Sequence, residues 1–330
     1  MLITFILAVL LSFAVTALLA KKFIPFLISR KLNQPIYEIG PRWHKSKAGT
    51  PTMGGIFFIA AIILTVGVLS FFAIDKEFLA PLWLTLGMAV LFAAVGFIDD
   101  YAKLIKKQNE GLKAYQKFIL QSIVAAAYIS AMCALGYMDT VVPIPFTEIE
   151  LDLGIAFYPL AILLIVGVDN STNLTDGIDG LCATVTAVVA AFFALFGLPV
   201  IGLLHGEAIT YLAGALFGGM LGFLVYNWNP ARIFMGDTGS LFIGGMVMGL
   251  AFLCDQPLII IIVGLIYLIE TASVMLQVTS FKLFHKRIFK MSPIHHHFEK
   301  CDWSERKIVT VFSSVTFVLC AITFILSLVL

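Results

Sequence analysis

Charge is scarce in this chain. Asp, Glu, Lys and Arg make up 12% of its 330 residues and hydrophobic residues 60%, whereas soluble domains carry about 25% charged residues. A soluble chain of this length would divide into two domains; this composition instead predicts one polytopic membrane domain over residues 1–330. The net charge is +1, so no bulk electrostatic attraction to nucleic acid is expected. Paired cysteines are missing as well. Cys133, Cys182, Cys254, Cys301 and Cys320 form no CxxC pair, which argues against a zinc site or a disulfide framework. There is no Walker A spacing, no internal repeat and no low-complexity linker. The first apolar run lacks a positive n-region and a small-residue cleavage site and is followed by Lys21 and Lys22, so it is expected to be a retained span.

What is abundant is uninterrupted apolar sequence. A hydrocarbon core about 30 Å thick takes about 20 residues of helix. Residues 2–20, 54–73, 79–98, 118–138, 181–203, 208–226, 258–278 and 308–330 meet that length. The shorter runs 153–168 and 240–254 are included because omitting either would put positive loops on the wrong side. The expectation is an all-α integral membrane protein with about ten transmembrane helices. Lys and Arg then set the orientation. The loops 21–53, 99–117, 227–239 and 279–307 carry seven, five, one and seven of them, and the alternate loops carry only Lys76. Twenty of 21 on one side predicts both termini outside and five cytoplasmic loops. The loop 169–180 has none and is placed inside by alternation. The outer segment 139–154 is acidic and β-prone, and a small hairpin is expected there.

Acids gather at the inner ends of these spans: Asp99 and Asp100, Asp169, Asp176 and Asp179, and Asp237. Asp99 and Asp100 close an apolar run, where the helix dipole disfavours each acid by about 0.3–1 kcal/mol unless a cation offsets it. Neighbours on a helix diverge by about 100°, so the two acids are expected to face different partners, with Asp99 paired to Lys103 at i, i+4. Lys106, Lys107, Lys113 and Lys117 follow and can neutralise phosphates. In the first inner loop, Arg42, His44, Lys45 and Lys47 stand beside Gly and Thr, a mixture suited to phosphate; taken alone, the loop reads first as an ordinary positive-inside flank. The loop 169–180 is polar and glycine-broken, lacks the ligand spacing and closing Glu of an EF-hand, and suits nucleobase and ribose recognition; a turn with Asx caps is the simpler alternative. Asp237 to Ser240 precede an apolar helix and read either as N-caps or as an anion site. Phe234 can stack on a base or pack. His295, His296 and His297 stand among basic residues and are expected to hydrogen-bond phosphate, because the oxygen-rich acids elsewhere favour magnesium over a transition metal. Glu270, inside a span, is a functional candidate without an assigned role.

Five motifs occur in order: KAGTPTMGG at 47–55, DDYAK at 99–103, NLTDGIDGL at 173–181, NWNPARIFMGDTGS at 227–240 and PIHHHFE at 293–299. Along its whole length the chain resembles the phospho-N-acetylmuramoyl-pentapeptide transferase family of bacterial cell-wall synthesis, within the polyprenyl-phosphate N-acetylhexosamine-1-phosphate transferase superfamily. The resemblance implies magnesium-dependent transfer of phospho-MurNAc-pentapeptide from a UDP-linked donor to undecaprenyl phosphate, with UMP released, at the cytoplasmic side of the bacterial inner membrane. It implies Asp237 as the magnesium ligand and Asp99 and Asp100 as the acidic pair at the reacting phosphates. Lys103, Lys107 and Lys117 would hold phosphate. Asn173, Asp176 and Phe234 would contact the nucleoside, with Asp179 and Asn227 nearby, and His295, His296 and His297 would face the donor's phosphates or sugar. Partners would be the two substrates and membrane lipid, with a homodimer open as the assembly. Lys300, Cys301, Asp302 and Trp303 depart from the KGW-type continuation of the family.

Two other readings stand beside this one. A UDP-N-acetylglucosamine transferase of the same superfamily is disfavoured by the histidine run and the KAGTPTMGG loop. A transporter would place ionisable residues near the midplane and often show a repeat, whereas here the acids collect at one interface.

Overall fold

The computed structural model describes residues 2–29, 49–72, 75–106 and 111–329. Its helices are α1 (Leu2–Ser29), α2 (Gly55–Phe72), α3 (Lys76–Lys106), α4 (Ala114–Ala134), α5 (Phe157–Thr175), α6 (Leu181–Phe196), α7 (Gly206–Asn227), α8 (Gly236–Leu253), α9 (Ile260–Val263), α10 (Leu265–Phe284), α11 (Ile294–Glu299) and α12 (Glu305–Val329). Eight are long and apolar enough to cross a membrane among the described residues, or up to nine if the bent pair α9–α10 is one span. The chain is therefore an all-α, multi-pass membrane protein. α6 is a shorter apolar helix that ends at Phe196, before the expected 203. The expected hairpin is present: β1 (Val141–Pro143) pairs antiparallel with β2 (Glu150–Asp152), Val142 opposite Leu151.

Helices cannot associate in lipid by hiding apolar surface, so close backbone approach through small residues takes over. α7 carries Gly214, Gly218 and Gly222 at four-residue spacing, and they pack on α1. A Cβ on Gly218 would lie 2.2 Å from the Val9 carbonyl oxygen and one on Gly222 2.7 Å from that of Phe13. α8 uses Gly245 and Gly249 in the same way against Ala89, Phe92 and Thr85 of α3. These contacts bury α7 and α8 in the centre of the bundle: 89% of the α8 span is buried against 17% of the α1 span, which faces outward with Leu2, Ile3, Leu10 and Leu18.

Three elements run differently from the expectation. α3 continues past Asp100 to Lys106, so Asp99 and Asp100 lie within a helix rather than at its end. α5 continues through Asp169 to Thr175, which reduces the expected polar loop 169–180 to a turn at 176–180. The run expected as a straight span over 258–278 breaks at Gly264, where α9 and α10 meet at 81°. The first two follow from one cause: apolar length fixes where lipid is, and a helix does not have to stop where lipid does.

Candidate active site

α3 brings Asp99, Asp100 and Lys103 to the N-terminus of α8. Lys103 Nζ lies 2.6 Å from Asp99 Oδ2, the expected i, i+4 pair, and Asp99 Oδ1 accepts from the Leu112 backbone N–H at 2.6 Å. Asp100 accepts from the backbone N–H groups of Asp237 (3.1 Å) and Thr238 (2.9 Å) and from Thr238 Oγ1 (2.7 Å). Met235, at the N-cap of α8, makes no side-chain cap bond. The cap expected from Asp237 to Ser240 is thus supplied across the bundle by Asp100, and an acid placed there gains from the dipole that disfavours it at the other end of a helix. Although the two adjacent acids start in different directions, their side chains return to one cluster. One oxygen from each of Asp99, Asp100 and Asp237 lies within 4.8 Å of the others.

Asp237 is the hub. Its Oδ2 receives Lys117 Nζ at 3.0 Å and Lys103 Nζ at 3.2 Å, and its Oδ1 accepts from Asn173 Nδ2 at 3.0 Å. Asn173 also donates to Ser240 Oγ (2.8 Å) and accepts from Lys117 Nζ (3.3 Å). Lys117 and Gln121 are one turn apart on α4, and Asp169 and Asn173 one turn apart on α5. They form two rungs, since Gln121 Nε2 donates to Asp169 Oδ2 at 2.7 Å. Asp169 is therefore fully buried within the bundle rather than standing at its mouth. Three carboxylates facing two ammonium groups form a hard oxygen set of the kind magnesium takes, one or two carboxylates supplemented by substrate phosphate. A divalent ion in this cluster would take the place the lysines hold on Asp237.

The remaining expected residues fall in two further groups. Asp176 closes α5 as its C-cap. Asp179 is buried and ties the turn to the next loop, accepting from Asn229 Nδ2 (3.1 Å) and the Ala231 N–H (2.9 Å) while its own N–H donates to Glu305 Oε2 (3.0 Å). Asn227 braces the same junction, accepting from the Gly180 N–H (3.1 Å) and donating to the Ile233 carbonyl (2.8 Å). Phe234 is half-buried, and its backbone docks the 51–55 segment through Pro51 O and the Gly54 N–H, both at 2.9 Å. Asn173, expected beside Phe234 at a nucleoside, has its amide committed to the aspartate cluster. Lys107, and Arg42, His44, Lys45 and Lys47 of the first loop, lie outside the described residues.

The three histidines of α11 differ from one another. His295 is fully buried and its Nδ1 lies 3.0 Å from Glu270 Oε2. His296 Nδ1 meets Glu299 on its own helix. His297 Nδ1 accepts from the Lys290 N–H at 3.1 Å, and its ring sits edge-on to Phe289 and Phe298. Gln121 and Glu270 complete these networks without having been assigned roles, and Thr238 and Ser240, read as caps or an anion site, join them as partners of Asp100 and Asn173. The four-residue spacing of Lys117 with Gln121, and of Asp169 with Asn173, was the available signal for the first of them.

On the face of α5 turned away from the cluster, α5 and the bent α10 line a half-open apolar cleft of about 610 Å³ with Leu160, Leu164, Leu268 and Met275, and Ser171 and Thr271 are its polar residues. Thr271 Oγ1 donates to Ser171 Oγ at 2.8 Å, and Asn173, two residues on and about 200° around the helix, faces α8 instead.

Comparison with known proteins bears on this arrangement. Residues 82–255 match the model of glycosyl transferase family 4, and residues 47–59 match phospho-N-acetylmuramoyl-pentapeptide-transferase signature 1. The chain is 46% identical to the phospho-N-acetylmuramoyl-pentapeptide-transferase of Clostridium botulinum over 325 residues, covering 96% of this chain and 95% of that one. Proteins of the same name from Clostridium perfringens and Carboxydothermus hydrogenoformans are 45% and 43% identical; the alignments cover 97% and 96% of this chain and 95% and 96% of theirs.

Proposed function

This chain belongs to the phospho-N-acetylmuramoyl-pentapeptide-transferase family and is a phosphoglycosyl transferase, and from that premise we propose the full reaction. Phospho-MurNAc-pentapeptide passes from a UDP-linked donor to undecaprenyl phosphate, giving a lipid-linked diphosphate and UMP. The observation that carries this reading is the convergence of Asp99, Asp100 and Asp237 within 4.8 Å at one end of an apolar bundle, with Lys103 and Lys117 among them. A site for pyrophosphate chemistry needs both features, acids to hold a hard cation and cations to neutralise phosphate oxygens.

In the reaction, an oxygen of the lipid phosphate bonds to the sugar-bearing phosphorus of the donor as the pyrophosphate P–O bond breaks and UMP leaves with the electron pair. Magnesium held by Asp237 and its neighbouring aspartates would supply charge neutralisation on the departing phosphate. Lys103 and Lys117, now on Asp237 Oδ2, would bind and orient phosphate oxygens of the substrates. The alternative is a covalent aspartyl-phosphate. Both oxygens of Asp100 are engaged at the start of α8, and those of Asp99 by Leu112 and Lys103. A phosphate monoester is already ionised near neutral pH and needs no strong base, so direct attack is the simpler path. The apolar cleft between α5 and α10 offers a surface for the isoprenoid chain of the acceptor. The twenty-to-one partition of Lys and Arg between alternate inter-span segments of the sequence supports a cytoplasmic site.

The direct test is release of UMP by the purified protein given UDP-MurNAc-pentapeptide, undecaprenyl phosphate and magnesium. Release with UDP-N-acetylglucosamine and not with the muramoyl donor would overturn the substrate assignment while leaving the reaction class.

A further inference from the structure

Glu270 and His295 form a buried pair that phosphoryl transfer at the aspartates does not use. Glu270 lies six residues beyond the break at Gly264, and both side chains are 0% exposed. A carboxylate in such surroundings persists only where hydrogen bonds replace water. Glu270 Oε2 faces two N–H groups of a single residue: the His295 ring Nδ1 at 3.0 Å and the His295 backbone N at 3.4 Å. This double contact fixes the ring's rotation as well as its place. The far side of the ring is equally confined. A Cβ on Gly177 would lie 2.1 Å from His295 Nε2, and the His296 ring is 4.1 Å away on centroids. Nε2 itself is buried and has no hydrogen-bond partner among the described residues.

A carboxylate only accepts, so the Nδ1 facing Glu270 must carry the proton. In the neutral ring, Nε2 is then a bare acceptor directed at the turn 176–180. We propose that Glu270 is a positioning residue: it holds His295 in the Nδ1–H tautomer so that Nε2 accepts a hydrogen bond from a hydroxyl or amide N–H of the sugar-nucleotide donor. The ligand class rests on the transferase reading above; the tautomer does not. Glu270 Oε1 is likewise without a partner among the described residues, so the pair as a whole is under-satisfied, and Nε2 is the acceptor that faces the turn 176–180; buried polar atoms in folded proteins nearly always have a partner. Gly177 belongs to the same device, since any side chain there would displace the ring.

Nitrogen-15 spectra of the full-length protein in detergent, labelled at its six histidines, read the tautomer directly. His295→Gln identifies the resonance by its disappearance. The expected wild-type signal has a protonated Nδ1 and an unprotonated Nε2. In Glu270→Gln, whose amide offers both a donor and an acceptor, the signal should become a mixture of tautomers, and donor kcat/KM should fall on the order of 10–100-fold with KM for undecaprenyl phosphate unchanged. Glu270→Asp should retain the tautomer and part of the rate. A wild-type Nε2–H tautomer, or an unaltered His295 signal in folded Glu270→Gln, overturns the proposal. Correct tautomer behaviour in a protein that does not turn over the muramoyl donor would uphold the positioning role and refute the substrate reading instead.

Discussion

Gly96 and Asp237 meet backbone to backbone: a Cβ on Gly96 would lie 2.2 Å from the Asp237 carbonyl oxygen. One turn further along α3, Asp100 caps the helix that carries Asp237. The glycine therefore sets the separation at which the acids of two helices can share one cluster. Gly96→Ala should force α3 and α8 apart. Displacement of reacting groups by about 1 Å can cost 10²-fold, and a loss of kcat of that order is expected alongside a lower melting temperature. Wild-type kinetics in this variant would show that the cluster tolerates a wider spacing.

Asp237 bonds to Lys103, Lys117 and Asn173 at once, so its charge holds the cluster together. Asp237→Asn keeps the shape and removes the charge, and turnover should fall by at least about 10²-fold even at saturating magnesium. Lys117→Gln should separate binding from chemistry. With one ammonium gone from Asp237 Oδ2, Mn²⁺ used as a paramagnetic probe should bind more tightly to the substrate-free protein, while turnover drops because a phosphate partner is lost. Weaker Mn²⁺ binding in Lys117→Gln would refute competition between lysine and metal.

Much of this site was legible because its chemistry is concentrated in short polar islands between long apolar runs. Asp99 with Lys103 followed from helical spacing alone, and it is present at 2.6 Å. The hairpin at 141–152 followed from composition. What spacing could not give was any relationship between distant segments. That Asp100 caps α8, that Asp169 is buried against Gln121, and that Asn173 donates to Asp237 are consequences of packing. The packing itself had a sequence mark that hydropathy passes over, the four-residue spacing of Gly214, Gly218 and Gly222 on α7. The break at Gly264 left no trace in a run that is apolar on both sides of it.

The orientation of the bundle rests on the twenty-to-one partition of Lys and Arg. Single cysteines placed at Lys76 and at Lys286 in a cysteine-free background should react with an impermeant maleimide from opposite sides of oriented vesicles. Labelling of both from one side would invert or break the topology.

Asp255 lies just past the end of α8, and its carboxyl is pushed up to about 6, first by burial and then by the charge of Asp139. The folded chain thus holds this proton more tightly than the unfolded chain does. The stabilisation this gives is complete below the ordinary carboxylate range and is lost as pH rises through about 6. Asp255→Asn, which cannot ionise and tolerates the left-handed backbone there (φ 54°), should raise the melting temperature at pH 8 and leave it unchanged at pH 4. The side chain reaches solvent, which screens the effect, so the gain should be on the order of 1–2 °C. A larger gain at pH 4 than at pH 8 would contradict the assignment.

Phe234 has its backbone pinned by Pro51 and Gly54 and its ring half-buried beside the start of α8. Two roles are open to such a ring, stacking on the donor's uracil or filling the junction between the 51–55 segment and α8. They separate cleanly. Stacking of an aromatic on a base is worth about 1–3 kcal/mol, so its loss should weaken UMP or UDP binding about 5- to 150-fold. Phe234→Ala should then raise KM for the UDP-linked donor by a similar factor, leave KM for undecaprenyl phosphate unaltered, and barely move the melting temperature. A packing role predicts the reverse: a cavity that lowers the melting temperature, with nucleotide affinity intact. Measuring UMP affinity by calorimetry beside the thermal midpoint in the same detergent decides between them. Intact affinity with a lowered midpoint would remove Phe234 from the nucleoside site.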